Sequence, residues 1–129
     1  MQEKSRQDKE KMNSEIKEML FLYDYPKKVN SKCPIKIDSF TRLDSVSYNQ
    51  LYKDFNLYYT YIGFVEKGAN IDSIQSATII EGLKKDTILT PFKNIGVDFT
   101  YTYRDNNGKR ISYLRITPEQ YQTPIRPLF

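Results

Sequence analysis

The chain has 129 residues, enough for one domain with a real core, and 20 Lys+Arg against 16 Asp+Glu leave a formal charge of +4. It holds no histidine and one cysteine, Cys33. That excludes histidine-based catalytic triads, an intramolecular disulfide and the commonest nitrogen ligand for zinc. No apolar run approaches the length of a membrane-spanning helix, and so small a positive excess marks neither a nucleic-acid nor a membrane surface.

Residues 1–11 are charged and lack apolar spacing, which predicts a flexible N-terminus of the kind that follows a removed export signal. Met12, Ile16, Met19, Leu20 and Tyr23 then recur at steps of three and four. The spacing predicts an amphipathic helix over 12–24 whose stripe packs on a sheet. Pro26 should end it by Tyr25, because the residue before proline avoids the α region. Tyr25 to Lys32 reads as a basic loop, and the alternation from Cys33 to Asp38 as a short strand. Thr41 to Tyr48 is a second strand or its bent continuation. Leu43 and Val46 lie on opposite parities there, so burying both requires a bulge. Asn49 to Asp54 turns the chain into a long strand, Phe55 to Phe64, which is apolar on both sides and therefore central.

Glu66 to Ala69 is a loop, and Asp72 with Gln75 resembles a capping box for a helix over 71–85. Its buried side is Ile71, Ile74, Ala77, Thr78 and Leu83, widened by Ile79 and Ile80. Asp86 to Asn94 places Ile88, Leu89 and Phe92 around Pro91, a turn or a single helical turn. Ile95 to Pro118 is the clearest signal in the chain. Val97, Phe99, Tyr101 and Tyr103 alternate with polar residues, Asp105-Asn106-Asn107-Gly108 supplies turn chemistry, and Ile111 to Ile116 returns. A two-residue Asn107-Gly108 turn sets Tyr101 opposite Leu114 and Phe99 opposite Ile116. Val97, Phe99, Tyr101, Leu114 and Ile116 then share a buried face, and Asp98, Thr100, Thr102, Ile111, Tyr113 and Arg115 share a wetter one. Thr117 caps one more helical turn from Pro118, and Pro124 and Pro127 keep residues 122–129 irregular. Together these elements predict a single α+β domain over 12–121, ordered α-β-β-β-α-β-β. An antiparallel sheet of four to five strands carries two amphipathic helices on one face.

Chemistry is sparse in this pattern. There is no phosphate-cradling glycine loop. Cys33 beside Lys32 is a half-buried thiol whose default is inertness. Asp38 and Asp44, on neighbouring strands, could come near each other as a glycoside-hydrolysing pair, but carboxylates are common and nothing fixes their spacing. Arg42 and Asp44, two apart on a strand, face the same way and read first as an ion pair. Tyr58, Tyr101, Tyr103 and Tyr113 near Arg104, Lys109 and Arg110 read as cross-strand packing before they read as a base-stacking platform. The Asp105–Gly108 loop has too few carboxylates for calcium. No catalytic residue, cofactor or metal ligand is expected.

Three segments carry a resemblance. They are Pro34 to Val46, Leu57-Tyr58-Tyr59-Thr60-Tyr61, and Gly96 to Pro118. Their order is similar to that of a family of small bacterial cell-envelope proteins, secreted or lipoprotein-like, of uncharacterised function. That family shows Pro-x-x-(Val/Ile)-Asp-x-x-Thr-Arg-Leu-Asp, then Tyr-x-Tyr, then Tyr-x-Tyr-x-Asp-x-x-Gly. The resemblance spans about residues 28–121 of this chain. It implies export and a non-catalytic role and supplies no site. The expected function is a non-enzymatic extracytoplasmic binding or protein-interaction module; the alternative is an immunity or inhibitor protein that binds a toxin or enzyme. The expected partner is another protein or an envelope ligand, not nucleic acid, in the periplasm, at the outer membrane or outside the cell. The composition leaves the cytoplasm and the oligomeric state open. Arg42, Asp44, Tyr58, Tyr113 and Arg115 are the candidate interaction surface.

Overall fold

A computed structural model describes residues 2–63 and 73–122. In chain order the elements are α1 (Gln2–Lys32), β1 (Ile35–Lys36), β2 (Thr41–Asn49), β3 (Asp54–Tyr61), α2 (Ser73–Lys85), α3 (Thr90–Asn94), β4 (Asp98–Arg104), β5 (Arg110–Ile116) and α4 (Pro118–Tyr121). The α+β class and the order of the main elements are as expected. The strands lie in the sheet in sequence order, with β3 at its centre. The sheet is mixed rather than antiparallel, because β3 and β4 run parallel, Tyr59 beside Tyr103. Two helices separate these strands in the chain. A helical crossover returns the chain to the starting end of the sheet, whereas a hairpin reverses it.

The first helix departs most from expectation. It begins at Gln2, ahead of residue 12, and runs through Pro26 to Lys32. Proline removes one helical hydrogen bond, so tertiary contacts must carry the last turns. Tyr25 packs near Phe55 and Phe92, with centroids 6.4 and 6.0 Å away, and Phe21 lies 5.9 Å from Phe92. Asn30 fastens the end: its Nδ2 donates to Val46 O at 2.8 Å, and Val46 N donates back to its Oδ1 at 2.8 Å. The expected stripe does not pack. Met12, Ile16, Met19, Leu20 and Tyr23 are 58, 46, 66, 53 and 65 % exposed, and every residue from Arg6 to Leu20 faces solvent. The half-buried face starts at Phe21 and Leu22.

The core lies on one side of the sheet. Phe55, Phe92, Phe99, Val97 and Ile116 are fully buried. Phe92, on the single turn of α3, meets Phe55 edge-on at 4.8 Å and Tyr48 at 5.1 Å. β2 carries the expected bulge, between Leu43 and Ser45, which lets Leu43 and Val46 both face inward. The hairpin keeps the expected pairs Tyr101–Leu114 and Phe99–Ile116. Its turn is longer than two residues. Gly108 N donates to Asp105 O, Asp105 N to Lys109 O, and Gly108 takes φ +83°. A register shift between Tyr103 and Arg104 absorbs the extra residue and restores the pairing. That positive φ is why glycine closes the turn. Thr117 and Gln120 form a capping box at α4, and Tyr121 donates its hydroxyl to Val97 O at 2.8 Å.

In α2, Leu83 is buried and Ile79 and Ile80 are half-buried, while Ala77 and Thr78 are exposed. The expected roles of Phe64, Glu66–Ala69, Ile71, Asp72 and the side chain of Ile74, and the tail from residue 123, lie outside the described residues.

Candidate functional site

Among the described residues, helices cover one face of the sheet and none covers the other. Strand parity places Arg42, Asp44, Tyr58, Tyr113 and Arg115 together on the open face. They do not form one cluster. Arg42 Nε donates to Asp44 Oδ1 at 2.6 Å, and Thr60 donates to Asp44 Oδ2 at 2.5 Å. On the far strand Arg115 pairs with Asp98 at 2.5 Å. Hydrogen bonding to Asp98, then its charge, then the Tyr113 hydroxyl raise the Arg115 pKa. The two groups sit on β2 and β5, three interstrand spacings or about 14 Å apart. Tyr58 lies between them, opposite Ser45 and Thr102. Asp54 accepts from Thr100 at 3.1 Å and from Asn56 at 3.3 Å, so this face is tied down by its own polar contacts.

The tyrosines divide between the two faces, so no single platform forms. Tyr59, Tyr61, Tyr101 and Tyr103 stand on the helix side as a ladder. Centroids are 5.3 Å apart for Tyr61–Tyr103, 4.9 Å for Tyr103–Tyr59 and 6.2 Å for Tyr59–Tyr101, with ring planes within 21°. Between this ladder and α2 lies a cavity of about 320 Å³. Ile79, Gly82 and Leu83 of α2 form one wall, and Asp38 and Asp86 also line it. Burial pushes the hydroxyls of Tyr59, Tyr101 and Tyr103 well above the usual tyrosine range. Neighbouring tyrosines add to this, as does Asp86 at Tyr101 and Asp38 at Tyr103. Asp38 also raises Tyr61, after burial. The carboxylates therefore act on different members of the ladder.

This geometry separates Asp38 from Asp44. Asp38 lines the helix-side cavity and Asp44 belongs to the open face, so they cannot flank one bond. Burial, then the charge of Asp44, pushes the Cys33 thiol up, away from the reactive thiolate. Asp105 Oδ1 accepts from Asn107 N and Lys109 N at 2.9 Å, which makes it a turn residue. Among the described residues no group of three or more acidic or cysteine side chains converges as a metal site, and no helix is long and apolar enough to cross a membrane.

A family model for a domain of unknown function, DUF8479, matches residues 21–113. The chain belongs to this family. The match starts at Phe21, where α1 first becomes half-buried, and ends in β5. The DUF8479 region thus holds the packed end of α1, the crossover helices and every residue lining the cavity. The exposed part of α1 precedes it. No curated protein matches the sequence. Solved structures do share the fold. The pilotin EpsS of the Vibrio vulnificus type 2 secretion system has a TM-score of 0.61 at 15 % identity, covering 87 % of this chain and 98 % of that one. A protein of Pseudomonas aeruginosa described as secreted has a TM-score of 0.61 at 8 % identity, covering 83 and 95 %. The type II secretion system pilotin AspS from Vibrio cholerae has a TM-score of 0.58 at 9 % identity, covering 78 and 89 %. At these identities the likeness is one of fold.

Sequence reasoning missed the cavity of this DUF8479 domain. Its signal was the Tyr-x-Tyr pattern on both β3 and β4. Knowing that these strands are parallel neighbours is what turns two patterns into one ladder.

Proposed function

We propose that this DUF8479 protein is a non-enzymatic extracytoplasmic module that binds another protein, with the projecting part of α1 seated in an apolar groove of that partner. The observation that carries this is the exposed stripe Met12, Ile16, Met19, Leu20 and Tyr23 on a helix segment clear of the sheet. Large apolar side chains gathered on one helix face mark an interaction surface.

Charge argues for a protein over a lipid surface. Arg6, Lys9, Lys11 and Lys17 alternate with Asp8, Glu10, Glu15, Glu18 and Asp24, whereas helices that lie on anionic membranes are predominantly basic. Length argues for a groove over a second copy. The stripe spans about 16 Å of helix, and two such stripes alone fall short of the ~1,200 Å² that stable interfaces bury. A concave partner covers more of a single rod. The shared fold with pilotins of type II secretion systems supports an envelope setting and a partner in export machinery.

The test replaces Met19 with a photo-crosslinking amino acid in cells and compares it with the same probe at Tyr113 on the open sheet face. An adduct at position 19 with an envelope secretion protein, abolished by Ile16→Asp, supports the reading. An adduct with a toxin or its target would make the helix an inhibitor. Adducts only with lipid or with a second copy, or turnover of a substrate by the pure protein, would overturn the reading.

A further inference from the structure

We propose that the cavity between α2 and the tyrosine ladder is a binding site for an alkylammonium or guanidinium group, with Asp38 and Asp86 as its counter-charges. This site is separate from the exposed stripe of α1, and neither reading depends on the other.

Three observations lead to it. First, the lining has one sign of charge. Asp38 and Asp86 line the cavity, and among the described residues no basic side chain does. The nearby Lys93 is committed elsewhere: its Nζ donates to the carbonyls of Leu83, Lys84 and Asp86 at 2.8, 3.3 and 2.5 Å, capping the end of α2. Each carboxylate uses its Oδ1 on its own loop. Asp38 accepts from Phe40 N at 2.8 Å, and Asp86 from Ile88 N at 2.8 Å and Leu89 N at 3.1 Å. The backbone therefore fixes both groups in place.

Second, the remaining lining suits the stem of such a ligand. Ile79, Leu83 and the tyrosine rings offer apolar surface, and phenol oxygens accept hydrogen bonds from ammonium or guanidinium. A volume of about 320 Å³ is at the small end for ligand sites. It holds a short amine or one long side chain, not a large cofactor.

Third, Gly82 breaks a local rule at this wall. Glycine inside a helix is less stable than alanine. A Cβ built at Gly82 meets no atom of the described residues within 4 Å, so no described contact demands glycine there. Gly82 lines the cavity, so a side chain added there stands at its wall. Glycine keeps that space open.

The shared chemistry has two sources, a free polyamine and a Lys or Arg side chain on a bound peptide. NMR titration of the full chain separates them, using spermidine in one arm and an acetylated, amidated Lys-containing peptide in the other. Butanol and butyrate are the uncharged and anionic controls. At least one cationic probe should shift the signals of Tyr59, Tyr103 and Ile79 and leave those of Tyr113 unmoved. The arm with the tighter Kd names the source. Asp38→Asn and Asp86→Asn keep the loop acceptors and remove the charges; each should weaken binding about tenfold or more. Gly82→Leu should abolish binding with a Tm at or above that of the parent. Absence of shifts with both cations, equal binding of butanol, or full binding by Gly82→Leu would overturn the proposal. Should Gly82→Leu lower the Tm, the aspartate variants decide: unchanged affinity in both overturns it, and weakened affinity supports it.

Discussion

Replacing Phe92 by alanine tests the packing scheme most directly. Phe92 is 0 % exposed, and its ring lies within about 6 Å of the rings of Phe21, Tyr25, Tyr48 and Phe55. It thereby joins α1, α3, β2 and β3. Truncating a buried phenylalanine costs ~3–5 kcal/mol, and the edge-on contacts to Phe55 and Tyr48 place this site toward the upper end. A domain of this size holds about 5–15 kcal/mol in all, so the variant should be close to unfolding. Urea denaturation followed by circular dichroism should show a midpoint lower by about 2 M at a typical slope of ~2 kcal/mol per M. Ile88, four residues earlier and 60 % exposed, is the control; Ile88→Ala should move stability by less than about 0.5 kcal/mol. A loss below ~1.5 kcal/mol for Phe92→Ala, or equal losses for the two variants, would refute the claim that α3 anchors the first helix.

Further outcomes follow from other contacts. Tyr121→Phe removes the 2.8 Å bond to the Val97 carbonyl and should cost about 1–3 kcal/mol by chemical denaturation, since the acceptor stays buried. Asn30→Ala strips both bonds from Val46; it should cost a similar ~1–3 kcal/mol and speed hydrogen exchange at the Val46 amide. Arg42→Ala breaks a partly exposed ion pair and should change stability by no more than about 1 kcal/mol. Alkali should unfold the protein through its tyrosines. Burial, with the charges of Asp98 and Glu119 adding, raises Tyr121 from 10.0 to about 12, and Tyr59, Tyr101 and Tyr103 are raised as well. The folded state holds these protons while the unfolded chain releases them. Their contribution to stability is therefore constant below pH 10 and falls above it, until the folded-state values are reached, by up to about 1.4 kcal/mol per pH unit for each such tyrosine. Part of the rise in tyrosinate absorbance should coincide with loss of circular dichroism. Ionisation of all eleven tyrosines in a protein that stays folded would count against the buried ladder.

The sheet was legible in the sequence where local pattern determines structure. Phe99, Tyr101, Leu114 and Ile116 had to share a face, and Leu43 with Val46 had to flank a bulge. Long-range direction was not legible. Nothing local in Phe55–Tyr61 or Asp98–Arg104 says that the two strands run parallel, because the intervening helices decide it. Pro26 misled for a related reason. The rule about the residue before proline describes a chain without partners, and here Tyr25, Val29 and Asn30 supply contacts that outweigh one missing hydrogen bond. The charged opening lacks apolar spacing yet is helical from Gln2, so periodicity sees burial and not helicity as such. For Arg42, Asp44, Tyr58, Tyr113 and Arg115, side-chain alternation gave the common face. The distance between β2 and β5 needed the strand order.

Two features of this molecule act against its own stability, and both lie at surfaces with a proposed role. Residues 6–20 extend a helix beyond the last turn that the core supports, and a helical segment of that length is marginal in water by itself. Its exposed methionines, isoleucine and leucine also invite aggregation unless something covers them. Gly82 weakens α2 at a position where alanine has room. Neither feature is explained by the fold, since removing either would leave Phe55, Phe92, Phe99 and Ile116 packed as they are. Departures from local stability with no structural compensation belong to sites used for something else. The position of the DUF8479 match sharpens this. It includes Gly82 and the cavity and begins just after the exposed helix segment, so the proposed cavity site lies inside the family region and the proposed docking rod precedes it.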